Sequence, residues 1–154
     1  MNKAPVEIRC ATPDDLANIQ SCARVAYTRY IERMDREPAP MLADFASQID
    51  SGYVYVALND SSFAGYVVFY PEEDHLHLEN VAVNPTHAGR GIGKMLVKYV
   101  EQTARARSLN AVELYTNEVM TENLKIYVKL GYTEIARNQQ NGFNRVFFRK
   151  LINQ

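Results

Sequence analysis

Residues 81–94 read VAVNPTHAGRGIGK and combine an apolar segment with a glycine-rich turn. This stretch begins with three apolar residues typical of a buried strand, and the pair Asn84-Pro85 marks the end of that strand. Three glycines follow. Glycine lets the backbone approach a ligand closely, successive N–H groups can surround an anion, and a helix N-terminus adds about half a positive charge. Together with the cationic side chains of Arg90 and Lys94, the stretch predicts an anion-binding loop between a strand and a helix.

Two other interpretations of this loop are a turn that only starts a helix and the phosphate-binding turn of a dinucleotide-binding fold. In a dinucleotide-binding fold the loop follows the first strand, and the next strand ends in an acidic residue. Here the loop follows the fourth predicted strand, and no strand ending in an acidic residue occurs at the usual interval. The loop is therefore interpreted as an anion site, and the purely structural turn remains as the alternative.

Hydrophobic periodicity predicts a single mixed α/β domain over residues 1–154. Residues 12–15, TPDD, offer a capping residue, a first-turn proline and first-turn acids for a helix start. Before the loop, the pattern predicts strands at 6–10, 53–58, 63–70 and 75–83, and helices at 13–30 and around 42–49. After the loop, the same pattern predicts helices at 91–107 and 121–131 and strands at 111–116, 132–137 and 143–150. The order βαα-βββ-αβα-ββ predicts a mixed sheet with helices on both faces.

Composition sets limits on partners and location. The formal net charge of −1 provides no general field that attracts nucleic acid or an anionic membrane surface. No apolar stretch approaches the roughly 20 residues that a membrane-spanning helix needs, and the chain start lacks the apolar core of a signal peptide. Cys10 and Cys22 are too few for a disulfide framework and are not spaced as a metal clip. The sequence thus predicts a cytoplasmic protein without a metal, nucleic-acid or membrane partner.

The glycine loop resembles the coenzyme-binding motif of the GNAT superfamily of acetyltransferases. The family pattern, Gln/Arg-x-x-Gly-x-Gly/Ala, is matched by residues 88–93 except at the first position, where Ala88 stands. The resemblance extends from Val6 through the final strand. It implies a GNAT-like fold, in which a mixed, mostly antiparallel sheet is flanked by helices, and acetyl-CoA as the cosubstrate. The residues that it assigns to the coenzyme pyrophosphate are Ala88, Gly89, Arg90, Gly91, Ile92, Gly93 and Lys94.

A second segment, residues 121–132, resembles the GNAT stretch that binds the coenzyme arm. Asn123 and Tyr127 stand four residues apart, so they lie on one face of the predicted helix. The resemblance implies that Asn123 bonds the arm and that Tyr127 reaches the thioester sulfur, where its hydroxyl can protonate the leaving thiolate. The alternative is that Tyr127 only packs against the sheet with its hydroxyl satisfied.

The strand at 75–83 supplies the candidates for a base. Aminolysis of a thioester needs a neutral amine, and most alkyl amines are protonated at pH 7, so a base or a proton wire is required. His77 and Glu79 share one face of the strand because side chains alternate. The resemblance implies a base at one of these positions; Glu79 is the first candidate and His77 the second. Both side chains could instead be satisfied by neighbouring groups.

The same strand also carries a His-x-His-x-Glu pattern that could be taken for a zinc site. Side chains two apart on a strand lie about 7 Å apart, too far to converge on one ion without distortion. No metal site is therefore expected, and His75 and His87 are expected to be solvated.

Further contacts follow from the resemblance alone. It implies that a backbone N–H near Val81 or Ala82 bonds the oxyanion and that Val81 and Val83 pair with the pantetheine arm. Tyr115 and Asn117 lie where family members line the acceptor tunnel, although either could be a packing or turn residue.

The acceptor wall is expected from the first two helices and from the turn at 138–143. The residues expected around these helices are Tyr27, Tyr30, Arg33 and Met41. Asp35 and Glu37 could favour a cationic amine, or could simply be solvated.

The sequence therefore predicts an N-acetyltransferase that moves acetyl from acetyl-CoA directly to a primary amine of a small molecule or peptide in a ternary complex. A non-catalytic acyl-CoA-binding or sensor module of the same fold is the main alternative; Ala88 favours it, whereas Glu79 and Tyr127 oppose it. A third class, an interaction protein with a purely structural glycine turn, predicts no coenzyme affinity. C-terminal strands often pair subunits in the family, which leaves a homodimer open.

Overall fold

The computed structural model describes residues 6–31, 41, 43–140 and 142–152. Its strands are β1 (Val6–Cys10), β2 (Val54–Asn59), β3 (Ser62–Glu72), β4 (His75–Val83), β5 (Ala111–Asn117), β6 (Thr133–Gln140) and β7 (Phe143–Leu151). Its α-helices are α1 (Leu16–Tyr27), α2 (Phe45–Asp50), α3 (Ile92–Ala106) and α4 (Thr121–Lys129). None of these described helices is long and apolar enough to cross a membrane. Arg33, Asp35 and Glu37, which the sequence places near the acceptor, lie outside the described residues.

The strands form a seven-stranded sheet in the order β1-β2-β3-β4-β5-β7-β6. The pair β4 and β5 is parallel, whereas β1 with β2, β2 with β3, β5 with β7 and β6 with β7 are antiparallel. The element order is βαα-βββ-αβα-ββ. The predicted mixed, mostly antiparallel sheet flanked by helices is confirmed.

The first helix begins where the sequence predicts, but its α-helical part is shorter than 13–30. A 3₁₀ turn at Pro13–Asp15 precedes α1 and another at Thr28–Tyr30 follows it. The Asp15 carboxylate accepts the Thr12 N–H at 2.8 Å, and it also pairs with the Arg9 guanidinium at 2.8 Å. This carboxylate therefore fixes the chain at the helix entry. The hydrogen bond from Arg9 lowers the pKa of the Asp15 carboxyl.

Positive φ angles mark the tight turns. Asp60 and Ser61, between β2 and β3, have φ of 52° and 67°, as a two-residue hairpin turn of type I′ requires. Gly131 has φ of 95° and ends α4 in the left-handed conformation, as predicted. Strand β3 runs through Pro71, beyond its predicted end, because the chain reverses only at Glu73, whose φ is 48°.

The chain divides into two compact units. Unit 1 comprises Met1–Phe69 with Asn80–Lys98, and unit 2 comprises Tyr70–Glu79 with Tyr99–Gln154. The boundary therefore falls inside β3, β4 and α3. The assignment of residues 1–154 to one domain stays a prediction.

In unit 1, β2 pairs with β1 on one side and with β3 on the other. The core takes fully buried side chains from α1, β2 and β3, among them Ile19, Val56 and Val67. Helix α2 contributes Phe45, whose ring meets the ring of Tyr66 edge-on at 5.4 Å between centroids. The apolar faces of these helices and strands thus form one core, which is what holds the start of α1 and the end of β4 in place.

In unit 2, β5 lies between the first part of β4 and β7. Side chains alternate along β7, so Phe147 lies on one face of the strands and Phe148 on the other. On the second face, the ring of Tyr127 in α4 contacts Phe148 at 5.9 Å between centroids. The Tyr132 hydroxyl donates to Glu101 of α3 at 2.9 Å, which ties the start of β6 to that helix.

Candidate active site

The glycine loop of unit 1 connects β4 to α3. Asn84 donates its backbone N–H to β3 at 2.7 Å, and a 3₁₀ turn at Pro85–His87 follows. Gly89 and Gly91 then adopt φ of 79° and 76°, in the left-handed region that glycine enters at little cost. Helix α3 begins at Ile92, directly after the second of these glycines. The predicted strand, glycine turn and helix are therefore present in that order.

The glycines of the loop have different structural roles. A Cβ at Gly89 or Gly91 would meet no protein atom within 4 Å, so these two positions need glycine for the backbone angle rather than for space. A Cβ at Gly93 would lie 3.4 Å from Cγ2 of Val83, so this glycine sets how closely α3 approaches β4. Gly52, in the turn before β2, has φ of 78° and equally open surroundings, which makes it the natural comparison for Gly91.

The loop is exposed and carries positive charge. Arg90 and Lys94 are exposed, and so is Ala88, which stands where the GNAT pattern has Gln or Arg. The first N–H groups of α3 have no acceptor within the helix, and the helix dipole places about half a positive charge at this end. These features are those of an anion-binding helix start. That the loop holds a coenzyme stays a prediction.

The strand that leads into the loop is held by buried side chains of unit 1. Val81 and Val83 are half-buried and Ala82 is buried. The Tyr27 hydroxyl has a single proton, which the Val81 carbonyl at 2.9 Å and Oδ1 of Asn80 at 3.1 Å share. The contacts of these strand residues with a pantetheine arm and an oxyanion stay predictions.

The residues predicted for the acceptor wall are mostly core residues of unit 1. Tyr27 is 7% exposed and Tyr30 is 2% exposed, with 6.3 Å between their ring centroids. Met41 is half-buried. Tyr27 therefore has a packing and hydrogen-bonding role that the sequence did not indicate, and the contact of Tyr27 and Tyr30 with an acceptor stays a prediction.

In unit 2, the two candidate bases lie on one face of β4 as predicted. Glu79 is half-buried, and its Oε1 accepts a hydrogen bond from the Tyr70 hydroxyl at 2.8 Å. His77 is buried between the rings of Tyr70 and Tyr115, with 5.4 Å between centroids on each side. Burial lowers the pKa of His77, so its imidazole is neutral at pH 7. Burial and the bond to Glu79 raise the pKa of the Tyr70 hydroxyl, which keeps its proton.

An aromatic row continues from His77 across β5 and β7. The ring of Tyr115 lies 5.4 Å from the ring of Phe147, and the guanidinium of Arg145 lies 4.2 Å from the Tyr115 centroid. Burial raises the pKa of the Tyr115 hydroxyl. Asn117 accepts the Val119 N–H on its side-chain oxygen at 3.0 Å, so it shapes the turn after β5. Ligand contact by Tyr115 and Asn117 stays a prediction.

Helix α4 carries the pair predicted for the coenzyme arm. Asn123 is half-buried, and its amide lies 3.5 Å from the Thr116 hydroxyl of β5. Tyr127 is 7% exposed, and its ring packs against Phe148 and, edge-on, against Tyr132. The two residues occupy one side of the helix, as their spacing predicts. Their roles toward a coenzyme stay predictions.

The candidate base and the candidate acid lie on opposite faces of the unit 2 strands. His77 and Glu79 share a face with Tyr115, whereas Tyr127 packs on the face of Phe148. The parallel pairing of β4 with β5 ends at Leu78↔Leu114, one residue before Glu79 and Tyr115.

The expectation that His75 is solvated is wrong. Its side chain is buried, with Nδ1 3.1 Å from Asp74 Oδ1 and Nε2 3.5 Å from Glu113 Oε1. Arg149 pairs with both of these carboxylates. Asp74 is a sequence neighbour of His75, but Glu113 and Arg149 come from β5 and β7, so no local pattern around residue 75 indicates these two.

Sequence reasoning missed three residues that shape the site. Tyr70 bonds Glu79, Arg145 stacks on Tyr115, and Asn80 is 3% exposed in unit 1, where it accepts from two tyrosines. The signal for Asn80 was available, since an amide inside a strand of buried apolar residues needs hydrogen-bond partners. Tyr70 and Arg145 gave no local signal, because their partners are on other strands.

Comparisons with known proteins agree with this architecture. The sequence model of the "Acetyltransferase (GNAT) family" matches residues 16–132. N-acetyltransferase 8B of Homo sapiens is 26% identical over 123 residues, which are 75% of this chain and 54% of the relative. Streptothricin acetyltransferase of Escherichia coli is 26% identical over 106 residues, 66% of this chain and 61% of the relative. The chain thus spans little more than half the length of these relatives.

The fold also matches a solved structure. The crystal structure of PaiA N-acetyltransferase from Thermoplasma acidophilum, in complex with coenzyme A, gives a TM-score of 0.70 at 18% sequence identity. The match covers 93% of this chain and 98% of that chain. At this identity the likeness shows a shared fold.

Proposed function

Because the chain belongs to the GNAT acetyltransferase family, we propose that it transfers an acetyl group from acetyl-CoA to a primary amine. The observation that carries the proposal is the loop between β4 and α3, where Gly89 and Gly91 hold positive φ angles directly before the helix N-terminus. The coenzyme is supported by PaiA N-acetyltransferase, which shares the fold and was solved in complex with coenzyme A.

The coenzyme pyrophosphate is assigned to the backbone N–H groups of the loop and of the first turn of α3. Their dipoles favour an anion, and Arg90 and Lys94 add positive charge from exposed positions. Ala88 cannot add a side-chain hydrogen bond, so the affinity depends on the backbone. Asn123 is assigned to the coenzyme arm, as the resemblance implies.

The reaction joins the amine nitrogen to the acyl carbon and breaks the bond between that carbon and sulfur. The attacking amine must be neutral, and it loses a proton as the new bond forms. Glu79 is assigned as the base that takes this proton, directly or through one water. The hydrogen bond from Tyr70 holds one carboxylate oxygen, which orients the other. His77 is the second candidate, because its buried imidazole is neutral and can accept a proton.

The leaving thiolate of coenzyme A needs a proton in turn, and the hydroxyl of Tyr127 is assigned to donate it. Its ring is fixed between Phe148 and Tyr132, so the hydroxyl has little freedom to reorient. Glu79 and Tyr127 lie on opposite faces of the strands. The proposed base and the proposed acid are therefore separated from each other. No residue is acylated, since the amine attacks the thioester directly.

The acceptor is assigned as a primary amine of a small molecule or peptide, in contact with Tyr115 and Asn117. The name of the Escherichia coli relative makes streptothricin its acceptor, and that relative shares 26% identity with this chain. At this sequence identity the relative supports the family of this chain, but it does not identify the acceptor.

The test combines calorimetry with turnover. Coenzyme A and acetyl-CoA are titrated into the protein, and release of free thiol from acetyl-CoA is then followed with a panel of amines. The proposal expects binding of both and amine-dependent thiol release. Binding without turnover on any amine would contradict the proposed enzymatic activity. It would favour the acyl-CoA-binding module, which the native Ala88 at the Gln/Arg position of the family pattern also favours. Absence of binding would contradict both.

A further inference from the structure

A buried hydrogen-bond network joins α1, β3 and β4 inside unit 1. Asn80 of β4 accepts the Tyr66 hydroxyl on Oδ1 at 3.0 Å and the Tyr27 hydroxyl on the same atom at 3.1 Å. Tyr27 is 7% exposed, Asn80 3% and Tyr66 0%, so the network is screened from water. Buried polar groups of this kind cost stability unless they are paired, and here they pair with each other.

The two tyrosines of this network differ in one respect. The Tyr66 hydroxyl donates to the Asn80 side chain, whereas the Tyr27 hydroxyl also donates to the backbone carbonyl of Val81, at the shorter distance of 2.9 Å. Tyr27 therefore connects the C-terminal end of α1 to the backbone of β4, one residue past the side chain that both tyrosines share.

A peptide group is planar, so a bond that fixes its carbonyl also fixes its N–H. The bond from Tyr27 fixes the plane that contains the Val81 carbonyl and the Ala82 N–H. We propose that Tyr27 is a positioning residue for the acyl-CoA arm, because it holds the β4 backbone at Val81 in the orientation that the arm pairs with. Tyr66 holds Asn80 and thereby the packing of the strand, and it has no direct bond to this peptide plane.

The inference rests on the proposed function, because it takes the pantetheine arm to lie along Val81 and Val83. A carbonyl oxygen has two lone pairs, so the Val81 carbonyl can accept from Tyr27 and from an amide of the arm together. The burial of Tyr27 fits a positioning role within unit 1 better than direct contact with the acceptor. The glycine loop does not depend on this bond, since its backbone is set by Gly89 and Gly91.

The test compares Tyr27→Phe with Tyr66→Phe. Each substitution removes one buried hydroxyl that donates to Asn80, so both are expected to lower the melting temperature. Calorimetry then measures the affinity for coenzyme A and for its nucleotide part, 3′-phosphoadenosine 5′-diphosphate, which lacks the arm. Tyr27→Phe is expected to weaken the affinity for coenzyme A about tenfold, which corresponds to the loss of one ordered hydrogen bond. Its affinity for the nucleotide is expected to stay unchanged. Tyr66→Phe is expected to leave both affinities unchanged.

A spectroscopic readout does not need the coenzyme. The carbonyl ¹³C resonance of Val81 is expected to shift in Tyr27→Phe and to stay in place in Tyr66→Phe. The inference is overturned if Tyr27→Phe binds coenzyme A like the wild type, if both ligands weaken equally, or if the two variants lose the same affinity. A wild-type protein that binds neither ligand would refute the coenzyme proposal itself, and the inference with it.

Discussion

The glycine loop of unit 1 and the side-chain cluster of unit 2 are built from different parts of the chain. The loop consists of backbone, and Gly89 and Gly91 hold it in positive φ angles. The cluster consists of side chains from β3, β4, β5 and β7, with Glu79, Tyr70, His77 and Tyr115 in contact. A binding site made of backbone is tolerant of side-chain change, whereas a site made of side chains depends on each hydroxyl, carboxylate and ring.

If the chemistry belongs to the side chains, Glu79→Gln should give the largest loss. The amide keeps the shape and loses the basicity, so turnover should fall roughly 10²–10⁴-fold at neutral pH while the coenzyme affinity measured by calorimetry changes little. Activity should recover in part at high pH, where more of the amine is already neutral. A nearly normal Glu79→Gln beside an inactive His77→Gln would exchange the two roles.

The next largest loss is expected from Tyr127→Phe, which keeps the ring contacts with Phe148 and Tyr132 and removes only the hydroxyl. Turnover should fall about 10²-fold, with coenzyme affinity and melting temperature nearly preserved. The loss should shrink with an acyl donor whose thiol is more acidic, because that thiolate needs less help. Equal losses across such donors would leave Tyr127 with a positioning role alone.

A smaller loss of turnover is expected from Tyr70→Phe. This substitution removes the hydrogen bond to Oε1 of Glu79 and leaves the aromatic ring beside His77. Turnover should fall about tenfold, equivalent to about 1.4 kcal/mol of transition-state stabilisation. Tyr55→Phe is the matched control, because it removes a tyrosine hydroxyl from unit 1, where the ring of Tyr55 stacks on Phe69. If Tyr70→Phe were as active as this control, the proposal that Tyr70 orients the carboxylate of Glu79 would be wrong.

The smallest effect is expected in stability, from His77. Burial holds the pKa of its imidazole below the ordinary value of about 6.5, so the folded state binds fewer protons than the unfolded state over this range. The contribution to stability is complete above pH 6.5 and is lost as the pH falls toward the folded-state pKa. His77→Gln should therefore lose less stability between pH 7 and pH 5 than the wild type, measured by urea unfolding. A steeper loss in the variant would contradict the stated burial effect.

The difference between the glycine loop and the side-chain cluster also explains which parts of the fold and site could be predicted from the sequence. The loop, the element order and the mixed sheet could be predicted because turn residues, periodicity and the glycine pattern act over short stretches. The contact of Tyr70 with Glu79 could not be predicted, because it depends on the pairing of β3 with β4, and β3 continues to Glu72, beyond its predicted end at Tyr70.

The error at His75 has the same origin. A histidine after an acidic turn is typical of the surface, but here Glu113 of β5 lies beside its ring, and Arg149 of β7 pairs with that glutamate. Which strands are neighbours, and in which register, is a property of the whole sheet. Glu79 lies in β4, Asn123 and Tyr127 lie in α4, and their roles toward a coenzyme stay predictions.

The central claim, that the backbone at Gly91 forms the coenzyme site, is tested most directly by calorimetry on Gly91→Ala and Gly52→Ala. Both glycines have positive φ and open surroundings, so both substitutions strain the backbone to a similar degree. We expect Gly91→Ala to weaken the affinity for coenzyme A at least about tenfold, and Gly52→Ala to bind it like the wild type at a similar melting temperature. Equal affinity in the two variants would contradict the claim.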